Sequence, residues 1–401
     1  MANRPLQAVC GLDPAHLTEL LSAALEGHGP ALLPVDPHLP APRVRSLLAA
    51  MRVDEMRTPE GVRTFADGAG TAEDTALVIA TSGSTGAPKG VELSTAALRH
   101  SARSSIRRIG AAPDSAWLCV LPTAHISGLQ VVLRALVSGV EPLHHTFDPA
   151  ATMALADQHR PHVSLVPTQL RRLLAAEADL SLFSTILLGG AAADERLLTQ
   201  ARAAGGRVVT TYGMSETCGG CVYDGVPLDG MRADLDSEGR ILLSGPALFS
   251  GYRLDPERTA AHLLAPKDGP DGAPWFRTSD LGRFDAEGRL QVRGRADDVI
   301  NTGGHKVVPG EVASVLCAHP AVRDAVVVGR PDEEWGQRVT AVVVPADPAC
   351  PPRLDDLREW ARTQLPGYAA PRELDVRARI PLLGSGKPDL SALRSPTRHR
   401  D

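Results

Sequence analysis

"TALVIATSGSTGAPKG", residues 75–90, sets an apolar run against a turn with three glycines, four hydroxyl side chains and one lysine. Glycines let backbone N–H groups converge on an anion, and hydroxyls and an ammonium add further donors, so a phosphate is the expected ligand. The donors would be Thr81, Ser82, Gly83, Ser84, Thr85, Gly86 and Lys89. The Walker A pattern of ATP-hydrolysing loops fails here. Counted from Gly83 it requires Gly at Pro88 and Ser or Thr at Gly90. The apolar run before the turn and the helix-like "STAALRHSARSSI" (94–106) after it place the turn between a strand and a helix rather than in a plain surface loop.

The elements around this turn repeat the arrangement. Helical stretches at 94–108, 127–137, 168–177 and 194–203 alternate with the apolar runs "SAWLCVLP", "VSLVP", "STILLGG" and "RVVTTYG". Strands alternating with amphipathic helices indicate a layered α/β domain with a largely parallel sheet, in which ligands sit beyond the carboxyl ends of the strands. Gly189 and Gly190, and the pair Tyr212 and Gly213, follow such strands. After about residue 226 the texture changes to short strands joined by Gly/Asp turns, among them "DAEG" (285–288), the expected turn of a hairpin. Beyond "GRADD" a small α+β unit begins, with helices at 309–317 and 354–364 and the strands "RDAVVVG" and "RVTAVVVP". The expected organisation is a large N-terminal domain of layered α/β subdomains, 1–294, followed by a small domain, 295–401.

Composition excludes several classes of function. A chain of 401 residues with 43% hydrophobic content buries a sizeable core, and a net charge of -5 gives no reason to expect a nucleic-acid partner. The apolar windows are interrupted, as 117–140 is by His125, Arg134 and two glycines, so no membrane span is expected. No basic segment followed by an apolar one opens the chain, and the expected location is the cytoplasm. Six cysteines in this length are not a disulfide framework. Cys218 and Cys221 have the spacing of a redox pair or half a zinc site; without a second such pair, structural or lining roles are the expectation. Of the 42 basic residues only Lys89, Lys267, Lys306 and Lys387 are lysine, which singles out these four compact cations.

Other residues carry chemistry of their own. In "TTYGMSE" (210–216) Tyr212 offers a face for stacking a base, and Ser215 and Glu216 can hold phosphate and a hard divalent cation, although an ordinary turn accounts for the segment equally well. Asp280 follows a strand, where its carboxylate can accept both hydroxyls of a ribose or simply cap a turn. Arg295 and the pair Asp297-Asp298 lie at the domain boundary. Lys387 sits between Gly386 and Pro388 behind the apolar "RIPLL", an arrangement that favours an ordered loop over a solvated tail. His125, in "LPTAHISG", is either a core histidine or a cleft residue, and the consecutive His144 and His145 make a poor metal pair.

Thr81–Gly90, Tyr212–Glu216, Ser279-Asp280, Gly294-Arg295 and Gly386-Lys387 occur in the order and approximate spacing of the adenylate-forming enzymes, a family that includes acyl-CoA synthetases, luciferases and the adenylation domains of peptide synthetases. The chain resembles this family from residue 81 to 387. Through "LPTAHISGLQ", "TYGMSETCGG" and "GRADDVINTGGHKVVPGEV" it is most similar to the branch that ligates o-succinylbenzoate to CoA in menaquinone biosynthesis. The resemblance implies two steps. A carboxylate attacks the α-phosphorus of ATP to give acyl-AMP and pyrophosphate, and CoA thiolate then displaces AMP.

It implies roles as well. Thr81 to Lys89 would hold the outer phosphates, Gly190 and Ala191 would line the adenine and acyl pocket, Tyr212, with Gly213 beside it, would stack on adenine, and Gly189 and Met214 would serve the substrate or CoA region. Ser215 would touch the α-phosphate, Glu216 would bind Mg²⁺, and Asp280 with Arg295 would hold the ribose. Lys387, on a small domain that is mobile in the family and hinges at Asp297 (near 295–298), would stabilise the charge of adenylation and then swing away, bringing Gly303, Gly304 and Lys306 toward CoA. His125 stands where amino-acid-activating relatives carry an Asp and suits an aromatic keto-dicarboxylic acid. A homodimer is the family-level expectation.

Two departures stand out. The phosphate-loop signature comes early, so residues 1–70 would be a shortened variable part, and position 215 is Ser where Thr is commoner, with the hydroxyl kept. Activation of another aryl or fatty acid, or nucleotide binding without turnover, are the competing expectations; Lys387 and Glu216 argue against the last, since binding alone requires neither.

Overall fold

The computed structural model describes residues 3–82, 88–192, 194–266, 272–382 and 388–395. Gly83, Ser84, Thr85, Gly86, Lys267 and Lys387 lie outside the described residues, as does the side chain of Ser82. The chain packs as two compact units. The first holds residues 1–190, 201–233 and 242–277, and the second holds 191–200, 234–241 and 278–401.

Two seven-stranded sheets organise the first unit. In one, the order is Gly251–Tyr252, Pro88–Ser94, Thr75–Ser82, Ala31–Val35, Leu6–Cys10, Glu55–Thr58 and Gly61–Thr64. Leu6–Cys10 runs parallel to both Ala31–Val35 and Glu55–Thr58. In the other the order is Val226–Pro227, Gly219–Tyr223, Val208–Met214, Thr185–Leu188, His162–Leu165, Trp117–Cys119 and Leu143–His144. The strands 117–119, 143–144, 162–165, 185–188 and 208–214 are parallel. Parallel strands are covered on both faces and therefore read as unbroken apolar runs rather than alternating ones. "TILL" and "LQAVC" are covered in this way, with every residue of the first and four of five of the second buried, the polar Thr185 and Gln7 included.

The helices begin and end where their terminal chemistry dictates. Ser94 accepts from the backbone N–H of Ala97 to start Thr95–Ile109, and Gly110, at φ 67°, ends it in the left-handed conformation that glycine adopts without strain. Asp148 caps Pro149–His159 in the same way, with Pro in the first turn. The helix Ile126–Ser138 is buried on all sides through its middle, from Gly128 to Ala135, as an apolar helix inside a layered domain is.

The turn "TSGSTGAPKG" joins two antiparallel strands, Thr75–Ser82 and Pro88–Ser94, paired at Thr81↔Lys89 and Ser82↔Pro88. The helix expected at 94–108 forms at Thr95–Ile109, but the strand Pro88–Ser94, which was not expected, comes between it and the turn. That strand carries Lys89.

In the second unit the strands His305–Val307, Ile300–Thr302, Gly336–Pro345 and Val322–Asp332 lie in that order, with Glu373–Val376 parallel to Gly336–Pro345. The helices Pro309–Cys317 and Leu354–Arg362 contribute Val312, Leu316 and Leu357 to a core shared with Val327, Val339 and Ala341. Arg330, nearly buried, is paired with Glu373 at 2.5 Å and Asp375 at 2.6 Å. The hairpin expected at 285–288 joins Trp275–Phe284 to Leu290–Arg295, with Gly288 N–H donating to the Asp285 carbonyl. By packing, the chain passes into the second unit at Thr278, inside that hairpin's first strand. The hinge expected at 295–298 concerns motion, on which a division by packing does not bear.

Candidate active site

Lys89 and Glu216, 127 residues apart, meet in the first unit. Lys89 stands on Pro88–Ser94. Glu216 belongs to a single 3-10 turn, Ser215–Thr217, that ends the strand Val208–Met214. The Lys89 ammonium donates to Glu216 Oε1 at 2.8 Å, and both groups are largely removed from solvent, with side-chain exposures of 24% and 7%. A pair this sheltered is costly to form and more costly to break, because either partner alone is left as an uncompensated charge.

Tyr252 completes the cluster. Its hydroxyl donates to the same Glu216 oxygen at 2.9 Å, and its ring lies 4.7 Å beneath the Lys89 ammonium. Burial first, and then the Glu216 carboxylate, push the phenol well above its ordinary range, so it remains a proton donor throughout the stable pH range. Sequence reasoning missed Tyr252. It falls in "FSGYR" (249–253), a segment with no chemical motif, and it enters the cluster only because Gly251–Tyr252 pairs with Val91 and Glu92 at the edge of the first sheet.

The backbone around Glu216 is held from three sides. Phe249 N–H donates to the Glu216 carbonyl at 2.9 Å. Thr217 Oγ1 bonds the Met214 carbonyl at 3.1 Å and that of Gly219 at 2.7 Å. Ser101 and Gln130 both donate to the Cys218 carbonyl, and Cys218 itself sits at φ 52°, a conformation that a non-glycine residue adopts only when its surroundings enforce it. Gly213 must be glycine, since a Cβ there would lie 2.0 Å from the Gly219 carbonyl oxygen. Burial raises the thiol pKa of Cys218, and that of Cys221 to about 12, so both are neutral packing residues of this turn.

The remaining expected residues divide between the units. Tyr212 and Gly213 form part of the strand Val208–Met214, paired to Val222 and Gly220, and Ser215 is buried at the start of the 3-10 turn. His125 is the N-cap residue of Ile126–Ser138 and is half-buried. Thr81 is half-buried, and its buried Oγ1 has no hydrogen-bond partner among the described residues. Gly189 and Gly190 follow the strand Thr185–Leu188, and a Cβ on Gly189 would meet Thr211 Oγ1 at 2.3 Å. Ala191 is exposed and belongs to the second unit.

Also in the second unit, Asp280 and Arg295 face each other across the hairpin at 3.9 Å, and Arg295 bonds Asp297 at 3.2 Å. Burial works against the Arg295 charge, but Asp280, Asp297 and Asp298 outweigh it and raise the pKa. Gly303 and Gly304 turn the hairpin that carries His305 and the exposed Lys306, and His305 stacks on Tyr368 at 4.2 Å.

A family model described as AMP-binding enzyme matches residues 46–253, and one described as AMP-binding enzyme C-terminal domain matches 311–387. The chain belongs to the AMP-binding enzymes. The first match spans the glycine-rich turn and the Lys89, Glu216 and Tyr252 cluster, and the second ends on Lys387.

Within the AMP-binding enzymes the chain is 41% identical over 404 aligned positions to a probable 2-succinylbenzoate-CoA ligase of Mycobacterium tuberculosis, covering 97% of both chains. It is 34% identical to a feruloyl-CoA synthase of Amycolatopsis sp, over 79% of this chain and 68% of the relative. The o-succinylbenzoate CoA synthetase of Bacillus subtilis, solved with its acyl-adenylate intermediate, superposes with a TM-score of 0.82 at 26% identity, over 98% of this chain and 89% of that one. The same enzyme has been solved with ATP and magnesium ion. This AMP-binding enzyme is thus an ATP-dependent, AMP-forming ligase of the acyl-CoA ligase class, with the large and small α/β parts of the adenylate-forming fold. Among the described residues no helix is long and apolar enough to cross a membrane.

The residues present suit a hard cation and a triphosphate. Glu216 is a nearly buried carboxylate, the oxygen donor that magnesium prefers, beside an ammonium able to meet phosphate.

Proposed function

We propose that the chain ligates 2-succinylbenzoate to CoA, with AMP and diphosphate as the other products. The observation that carries the choice of acid is the 41% identity extending over 97% of both chains to a relative so described, against a partial match to the feruloyl-CoA synthase.

In this reading Lys89 and the glycine-rich turn hold the β- and γ-phosphates, which leave as diphosphate. Glu216 holds Mg²⁺, which when bound neutralises phosphate charge. Ser215 bonds the α-phosphate, Tyr212 stacks on adenine with Gly190 and Ala191 lining the pocket, and Asp280, braced by Arg295, accepts the ribose hydroxyls. His125 meets the keto group or second carboxylate of the acid. Its place at the N-cap of Ile126–Ser138, where the helix dipole is positive, favours that anionic end. Lys387 supplies the cation at the α-phosphate, and Gly303, Gly304 and Lys306 face CoA after rotation about Asp297.

The test is formation of CoA esters from 2-succinylbenzoate, ferulate and a medium-chain fatty acid, each with ATP, Mg²⁺ and CoA. Preference for 2-succinylbenzoate by at least about tenfold in kcat/KM is expected, which corresponds to roughly 1.4 kcal/mol of transition-state discrimination. Preference for ferulate would replace the proposed acid and leave the ligase class intact.

A further inference from the structure

We infer that Tyr252 is a positioning residue for the metal-nucleotide complex: its hydroxyl orients the Glu216 carboxylate and its ring holds the Lys89 ammonium, coupling the two groups. The inference rests on the reading of Glu216 as the residue that faces Mg²⁺.

Both partners of the Glu216 side chain converge on Oε1, and among the described residues Oε2 has no partner. A carboxylate gripped at one oxygen is fixed in rotation and presents the other. Lys89 cannot do this alone, since an ammonium is a freely turning point charge that must also be released toward phosphate. A phenol on a rigid ring serves better.

The ring is rigid here. Phe249 packs against it edge-on at 4.9 Å, His262 does so at 5.6 Å, and Thr259 Oγ1 accepts from the Tyr252 backbone N–H at 2.8 Å. The next residue ties the segment to the end of the helix Ala41–Met51, to Gly70 and to the strand Pro88–Ser94. The Arg253 side chain is 1% exposed, donates to the carbonyls of Met51, Arg52 and Gly70, and pairs with Glu92 at 3.1 Å. Arg253 N–H bonds the Gly90 carbonyl, one residue beyond Lys89, and Phe249 N–H bonds that of Glu216. The segment 249–253 therefore fixes the backbones behind both charged groups as well as their side chains.

Glu216 and Lys89 neutralise each other across 2.8 Å. Arrival of the metal with the triphosphate exchanges that single pair for two new ones, carboxylate to metal and ammonium to phosphate. The Tyr252 hydroxyl keeps its bond to Oε1 through the exchange, and the ring face offers the ammonium a resting place that does not oppose its departure.

Calorimetric titration of the full chain with ATP, with Mg²⁺ and with EDTA and no acid present, separates this role from a general structural one. In the parent protein Mg²⁺ is expected to tighten ATP binding, and E216Q to remove that gain. Y252F, which keeps the ring and deletes the hydroxyl, is expected to lose about tenfold of the gain while binding metal-free ATP within about threefold of the parent, the scale at which neighbours of metal ligands act. In the E216Q background Y252F should change nothing further. An undiminished Mg²⁺ gain in Y252F, an equal loss with and without metal, or additivity in the double variant overturns the role of Tyr252. A normal gain in E216Q overturns instead the reading of Glu216 on which it rests. Should Y252F melt below the assay temperature, the same titrations are made at a temperature where it is folded, and the same outcomes decide.

Discussion

At the scale of single residues, Glu216 exchanges one cation for another: it holds Lys89 as the chain stands and is proposed to hold magnesium in the reaction. Two demands follow, a charge and two free lone pairs, and they can be separated. E216Q keeps an oxygen that accepts from Tyr252 and Lys89 but removes the charge and leaves the Lys89 ammonium uncompensated, so its melting temperature is compared with the parent's and activity is read where both are folded. Adenylation, measured as acid-dependent exchange of pyrophosphate into ATP, should fall about a hundredfold, in line with losses on removing a metal ligand or an electrostatic donor. Exchange within a few-fold of the parent would remove Glu216 from the metal site. The pair was only half legible in the sequence. Lys89 stood out as one of four lysines and Glu216 as part of "TTYGMSE", but nothing in their spacing put them in contact, because that contact depends on how two sheets are stacked. Tyr252 was less legible still, since a lone aromatic after a Ser-Gly turn reads as packing.

At the scale of elements, the strands and helices were largely legible because their ends are local. The Asp148 and Ser94 caps and the Gly110 and Gly139 terminators are set by neighbours within a few residues. The parallel strands at 117–119, 162–165, 185–188 and 208–214 were equally so, being short apolar runs, whereas Leu6–Cys10, Ala31–Val35 and Glu55–Thr58 were not expected. What such a run conceals is the titratable group inside it. His162 begins the strand His162–Leu165, is buried, and lies against Trp117 with ring centroids 4.8 Å apart. Burial, with Arg134 and Arg207 nearby, lowers its pKa from 6.5 to about 4. The sign follows from proton counting. Between about pH 6.5 and 4 the unfolded chain holds a proton on this residue that the folded one refuses, so stability falls as pH drops through that window and the loss is complete below it. The shift sets an upper bound of about 3 kcal/mol. Denaturant unfolding at pH 7 and pH 4.5 tests this, with His162→Phe as the control that keeps an aromatic ring on Trp117. The parent should lose more stability than the variant between the two pH values, and equal losses would mean that His162 is protonated in the folded protein.

At the scale of the whole molecule, the chain must perform two reactions with one set of elements, and we propose that its lysines divide between them. Lys89 belongs to the first unit and stands on a strand; Lys387 closes the match to the C-terminal family model. Negative charge is most crowded while the acid's carboxylate attacks the α-phosphorus, and a cation there stabilises that step. The second step has different needs. Once acyl-AMP exists, the thiolate of CoA attacks a carbonyl, and an ammonium left at the phosphate would occupy space needed for approach. If Lys387 serves the first step and is withdrawn for the second, its removal must separate them. Lys387→Ala is expected to lower pyrophosphate exchange by about a hundredfold or more, while conversion of supplied 2-succinylbenzoyl-AMP and CoA to thioester stays within about fivefold of the parent. Lys89→Ala should raise the KM for ATP and leave the second half-reaction unchanged, since diphosphate has already left. Equal losses in both half-reactions for Lys387→Ala would mean that the lysine acts through a single arrangement of the two units, and alternation about Asp297 would have to be abandoned.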